Sequence, residues 1–142
     1  MPDVVIDELT AGAERDVSIQ AVLDADWIER RELVQPEEII AFTKFSKFLV
    51  RDGRNRGETG VPALACTVGG IAIVDDNVAR RVAREHGIPV RGTLGLLVDA
   101  IRDELLTVAL VSVLADDLLA SQYRLPFGRG GFAGWAGDNG LL

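Results

Sequence analysis

The stretch Ile71-Ala72-Ile73-Val74-Asp75-Asp76-Asn77 decides the fold. Its first four residues are apolar without interruption, the pattern of a strand buried on both faces in a parallel sheet. Gly69-Gly70 precedes it as a helix stop and turn, and Asp75-Asp76 falls at its carboxyl end, where a helix begins at Asn77. Helical spacing continues to His86 and is stopped by Gly87. Pro89-Val90 then reads as a brief second strand, and Thr93 opens a helix through Leu96, Leu97, Ile101 and Leu105. Strand, helix, strand, helix predicts an α/β domain with a short, mostly parallel sheet and right-handed crossovers.

Working outward, Pro2 to Ala11 predicts a short helix with Val4, Val5 and Leu9 on one side, and Gly12 ends it. A second short helix starts at Asp16, and Trp27 to Leu33 reads as an exposed or edge strand. Glu37 to Val50 is a clearer helix, opening after Pro36 with Ile40, Phe45, Phe48 and Leu49 at three- and four-residue spacings. The polar stretch Arg51 to Gly57 is a loop, and Glu58 to Val68 returns to helical spacing. Downstream, Val108 to Leu119 is an apolar helix. The glycine-rich tail, residues 128–142, holds Phe132 and Trp135, which predict that it packs on the body. No repeat or linker divides the chain, so one domain over residues 1–142 is expected.

Composition narrows the function. The 142 residues carry a formal charge of −7, whereas a protein that grips nucleic acid mainly through phosphates carries a basic excess. An acidic chain can still act on RNA if its acids gather around divalent cations, which invert the local field. Otherwise it suits a basic partner segment. No apolar run reaches the roughly 20 residues that span a bilayer, and Met1 to Val5 lacks the features of a secretory leader, so a cytoplasmic location is expected. The one cysteine, Cys66, sits among apolar neighbours and predicts a buried, inert thiol.

Ligands of open parallel sheets bind beyond the carboxyl ends of the strands, which singles out Asp75 and Asp76. One carboxylate can turn toward a metal while the other caps the following helix; capping by both is the competing explanation. Glu58 opens a helix after a glycine, where the dipole favours its charge. Glu8 lies on the first helix beside Asp7, where a solvated face would account for it. Magnesium and manganese sites for phosphodiester hydrolysis need several oxygen ligands, commonly carboxylates, so these four acids gain meaning only if the fold brings them together.

Several stretches carry a family resemblance: Arg56-Gly57-Glu58 with Ala63-Leu64-Ala65, then Ile71 to Ala83, then Gly87-Ile88-Pro89-Val90, then Gly92-Thr93-Leu94-Gly95-Leu96-Leu97. This succession resembles the PIN-like proteins described as nucleic-acid-binding toxin components. It covers residues 57–105 and, more loosely, Pro2 to Leu9. The resemblance implies a three-layer PIN-like sandwich and a Mg2+- or Mn2+-dependent endoribonuclease that hydrolyses RNA and is restrained by a cognate antitoxin. Residue by residue, it implies Glu8, Glu58, Asp75 and Asp76 as catalytic acids, with Glu8, Glu58 and Asp76 on the metal.

The family also begins with a strand ending in aspartate, followed by a helix. That unit of roughly thirty residues has no counterpart ahead of Pro2. Loss of this central strand would remove one metal ligand and leave backbone groups unpaired. A start site assigned too late, a truncated and rearranged chain, or a second copy filling the gap would each account for this. Altered or lost activity, with dimerisation as the repair, is expected of the chain as it stands, and a non-catalytic interaction module is the alternative.

Other residues carry less. Phe42, Phe45 and Phe48 interleave with lysines in a way that could stack bases, but helical spacing assigns them to a core or interface. In the arginine-rich loop Arg54 and Arg56 are RNA-contact candidates, and Arg80 lies near the proposed site. His86 is the sole histidine, which excludes a histidine triad or a two-histidine zinc site within one chain; it is expected at a helix end. The glycines around Thr93 lack the lysine of a phosphate loop.

Overall fold

The computed structural model describes residues 1–50 and 55–142; among them the chain is α/β, with eight α-helices and one pair of parallel strands. It divides into two compact units, Met1–Arg91 and Gly92–Leu142. The first holds α1 (Asp3–Ala13), a 3₁₀ turn (Val17–Ile19), α2 (Gln20–Leu23), α3 (Pro36–Leu49), α4 (Arg56–Val68), β1 (Ala72–Ile73), α5 (Asn77–Glu85) and β2 (Val90–Arg91). The second holds α6 (Thr93–Arg102), α7 (Val108–Ala120) and α8 (Phe132–Asp138).

In the first unit, α3 and α4 pack against each other and enclose the core, in which Ala41, Phe45, Leu49 and Ala63 meet Ala72, Val74, Ala79, Val82 and Val90. Phe45 is completely buried, and its ring meets the His86 ring edge-on at 5.2 Å. His86 ends α5, with Nδ1 2.8 Å from the Val82 carbonyl. The phenylalanines of α3 therefore divide, because only Phe45 falls on the inner stripe, while Phe42 is half-buried and Phe48 is exposed.

The deciding stretch forms a strand of two residues. β1 pairs in parallel with β2, Ala72 opposite Val90 and Ile73 opposite Arg91, and the ladder is continued by Ala72 N–H to the Pro89 carbonyl and Val74 N–H to the Arg91 carbonyl. Ala72 and Val74 are buried, but Ile71 and Ile73 are 58% and 40% exposed. Burial on both faces thus does not hold. Alternation sends 71 and 73 to one face, and the core lies on the other.

Trp27 to Leu33 does not form a strand either. Only a single bridge, Arg31 with Pro2, is made there, and turns precede it, with Asp24 N–H bonding the Gln20 carbonyl and Ile28 N–H the Ala25 carbonyl. Cys66 is exposed, because the step of about 100° from buried Ala65 turns it outward.

Close approach between α1 and α4 depends on two glycines one turn apart. A Cβ on Gly60 would run into the Val4 Cγ2 methyl, and one on Gly57 into the Glu8 carboxylate. Both glycines are buried. Gly60→Ala should therefore destabilise the chain by about 1–3 kcal/mol, the usual cost of overpacking. Urea unfolding at unchanged m-value checks this; a change below about 0.5 kcal/mol would show that α1 backs away freely.

Glu38 fixes the start of α3. It is 2% exposed and takes N–H bonds from Val34 (3.1 Å) and Gln35 (3.0 Å), completing a capping box, while Arg31 Nε donates to it at 2.9 Å. The Gln35 amide holds its carboxyl below the ordinary value of 4.5; burial opposes this and Arg31 assists it. Because the folded value is the lower one, this stabilisation is present above 4.5 and is lost as pH falls through the depressed value. The thermal midpoint should consequently drop on acidification below that range, and Glu38→Gln should flatten this part of the profile. An unchanged profile in the variant would contradict the assignment.

In the second unit, Val98, Val111, Ala115, Phe132 and Ala136 form a separate core. The glycine-rich tail contributes α8, whose Phe132 and Trp135 meet Phe127 at 5.9 and 5.3 Å. No helix among the described residues is long and apolar enough to cross a membrane.

Candidate metal and RNA site

Asn55 precedes α4 in the left-handed conformation (φ 65°, ψ 34°), which asparagine tolerates better than most residues. Its side-chain amide donates to the Leu49 carbonyl at 3.3 Å, and its own carbonyl accepts from Thr59 N–H and, at 2.8 Å, from Thr59 Oγ1. Thr59 is fully buried. These bonds tie the end of α3 to the start of α4 and set Glu58 in the first turn of α4, where the unpaired N–H groups favour a negative charge.

Asp76 arrives from the other side of the core. β1 ends just before it, and its Oδ1 accepts from Ala79 N–H at 2.7 Å, capping α5. Half of its carboxylate is thereby used, and a carboxylate keeps further acceptor sites on its second oxygen. Glu58 and Asp76 line one cavity of 160 Å³ together with Phe48, Leu49, Asn55 and Val78. That is well above the roughly 10–15 Å³ one water needs, so water can enter.

The other expected residues are placed differently. Glu8 is exposed, accepts from Gly57 N–H at 3.0 Å and does not line this cavity. It is thus drawn to the residue preceding Glu58, as a partner for the first amides of α4. Asp75 is exposed beside Asp76 and does not line the cavity. Arg54 lies outside the described residues. Arg56 is exposed on the first turn of α4. Arg80, one turn into α5, is half-buried, and its Nε is buried without a hydrogen-bond partner among the described residues. No group of three or more His, Cys, Asp or Glu side chains suited to a metal occurs among the described residues.

Sequence reasoning missed Asn55, Phe48, Leu49 and Val78 as lining residues. Asparagine directly before a helix is a capping signal and could have drawn attention to Asn55. Phe48, Leu49 and Val78 line the cavity through the packing of α3 on α5, which no local pattern encodes.

Comparison with known protein families matches residues 1–128 to DUF3368, described as a PIN domain. The chain belongs to the PIN domain family. No curated protein and no solved structure matches it significantly. PIN domains are associated in general with nuclease activity and divalent metal ions.

The donor set can be tested against such an ion. The cavity offers carboxylate oxygens from Glu58 and Asp76 and a carboxamide from Asn55, with no thiolate or imidazole among its lining residues. Hard oxygen donors suit Mg2+ and Mn2+, and Mg2+ commonly keeps several waters while held by one or two carboxylates plus substrate phosphate. A pair of acids in a cavity that admits a few waters fits that mode. It does not supply an all-protein cage.

Proposed function

We propose that this PIN domain is a metal-dependent endoribonuclease of the toxin type, with Glu58 and Asp76 as the acids that hold Mg2+ or Mn2+. The observation that carries the reading is their convergence on one cavity, although Glu58 lies in the first turn of α4 and Asp76 caps α5, with β1 between them. When bound, the ion supplies a more acidic water and charge neutralisation at the phosphate. Glu58 and Asp76 position it, Asn55 offers a further polar contact, and Arg56 and Arg80 neutralise RNA phosphates alongside. Glu8 keeps α4 in place through Gly57. Asp75 adds negative charge beside Asp76, and Arg54, which lies outside the described residues, is a further phosphate contact. Restraint by an antitoxin and action in the cytoplasm complete the proposal.

Incubating the full chain with end-labelled RNA tests it. The expected result is internal cleavage that requires Mg2+ or Mn2+ and is abolished by a chelator. Cleavage that persists in chelator, or none with either metal, would overturn it.

A second reading has its own support: a catalytically incomplete PIN module that forms a homodimer. Ile71 and Ile73 present an apolar face on a sheet of two strands, and a pair of strands alone is marginal in water. Sedimentation that reveals a stable dimer in a chain without metal binding would select this reading.

A further inference from the structure

The most exposed aromatic side chain lies far from the cavity residues in sequence. Trp27 is 81% exposed, while the chain's other tryptophan, Trp135, is half-buried among Phe127 and Phe132. Exposing an indole forgoes a large burial gain, and a loose loop would explain it. The turn that carries Trp27 is not loose. On one side Asp24 N–H bonds the Gln20 carbonyl and Gln20 Nε2 donates to Asp24 Oδ1 at 2.8 Å. On the other, Ile28 N–H bonds the Ala25 carbonyl, the Arg30 guanidinium donates to the Leu23 carbonyl, and the chain's amino terminus donates to the Glu29 carbonyl. Arg31 N–H to the Met1 carbonyl at 2.9 Å closes the frame.

The surroundings are acidic. Asp24, Asp26 and Glu29 lie within three residues of Trp27 in the sequence, and residues 14–38 carry eight acids against three arginines. Arg31 pairs with buried Glu38, which leaves seven acids against two arginines in this stretch. Val17, Val22 and Val34 in the same stretch are also exposed. A rigid tryptophan is the residue type that most often anchors a protein interface, and pre-organisation reduces the ordering cost of binding.

We infer that Trp27 and the acids around it form a docking surface for a basic protein segment bearing apolar side chains. Charge decides the occupant. RNA and anionic lipid would bring phosphates against carboxylates. A second copy packed through the same patch would set acids against acids. Arginine or lysine gains from the carboxylates and from the indole face together, and apolar side chains of the segment cover the exposed valines. This inference is independent of the nuclease reading.

The test uses the full chain and three labelled peptides: arginine-leucine, glutamate-leucine with the same spacing, and oligo-arginine. Anisotropy should report binding of the arginine-leucine peptide only. Trp27→Ala should weaken it at least about tenfold, and Asp24→Asn with Asp26→Asn should weaken it and reduce its salt dependence. Circular dichroism should find both variants folded, since the altered side chains lie at the surface. Failure of the arginine-leucine peptide to bind, equal affinity for Trp27→Ala, equal binding of oligo-arginine, or displacement by RNA would each overturn the inference. So would self-association of the unliganded chain that Trp27→Ala abolishes, because a second copy would then be the occupant.

Discussion

Replacing Glu58 by glutamine should lower metal-dependent RNA hydrolysis by roughly 100-fold or more, the scale on which loss of one electrostatic contact to a transition state acts. Glutamine preserves size and hydrogen bonding, so the fold should be retained. Asp76 needs a finer comparison because it also caps α5 through Ala79. Asparagine is as good a cap as aspartate, whereas alanine forfeits about 1 kcal/mol. Asp76→Asn should therefore lose activity at near-native stability, and Asp76→Ala should lose both. Single-turnover cleavage of labelled RNA, with a thermal midpoint for each variant, separates the roles. If Asp76→Asn cleaves as fast as the wild type, Asp76 is only a helix cap.

Phe45→Ala should cost about 3–5 kcal/mol, the range for truncating a fully buried aromatic. Its ring is sealed between α3, α4 and α5, with Ala41, Ala63 and Ala83 in the same cluster, and small neighbours are poorly able to close over the space it leaves. That cost is a large part of the 5–15 kcal/mol that keeps a typical domain folded. Phe48→Ala provides the internal comparison: Phe48 is half-exposed and lines the cavity, so its loss should scarcely affect stability. Urea denaturation of both variants checks this. A loss below about 1 kcal/mol at Phe45 would contradict the assigned core.

The helices from α3 to α7 were legible because each combines an apolar stripe with a clear start or stop: Pro36 opens α3, Gly69 closes α4, Asp76 caps α5 and Thr107 caps α7. Strand extent was not legible. Ile71 to Val74 is a run of four, but β2 offers partners only at Val90 and Arg91, and partner length is a tertiary property. Trp27 to Leu33 misled for a related reason: Arg31 finds a partner strand only at Pro2, so the pairing stops at one bridge.

That Glu58 and Asp76 line one cavity follows from the position of each at a helix start near the strand end. Glu8 was harder. Its partner is the backbone of Gly57, and that pairing depends on how closely α1 lies on α4, which Gly57 and Gly60 control.

Titrating Mn2+ into the full chain, followed by the paramagnetic signal of the free ion, tests most directly whether Glu58 and Asp76 share a cation. One ion per chain should bind, and Glu58→Gln and Asp76→Asn should each weaken it by at least about tenfold, while Glu8→Gln, whose target is the Gly57 amide, should weaken it far less. Binding that neither Glu58→Gln nor Asp76→Asn alters, or no binding at millimolar ion, would contradict the account.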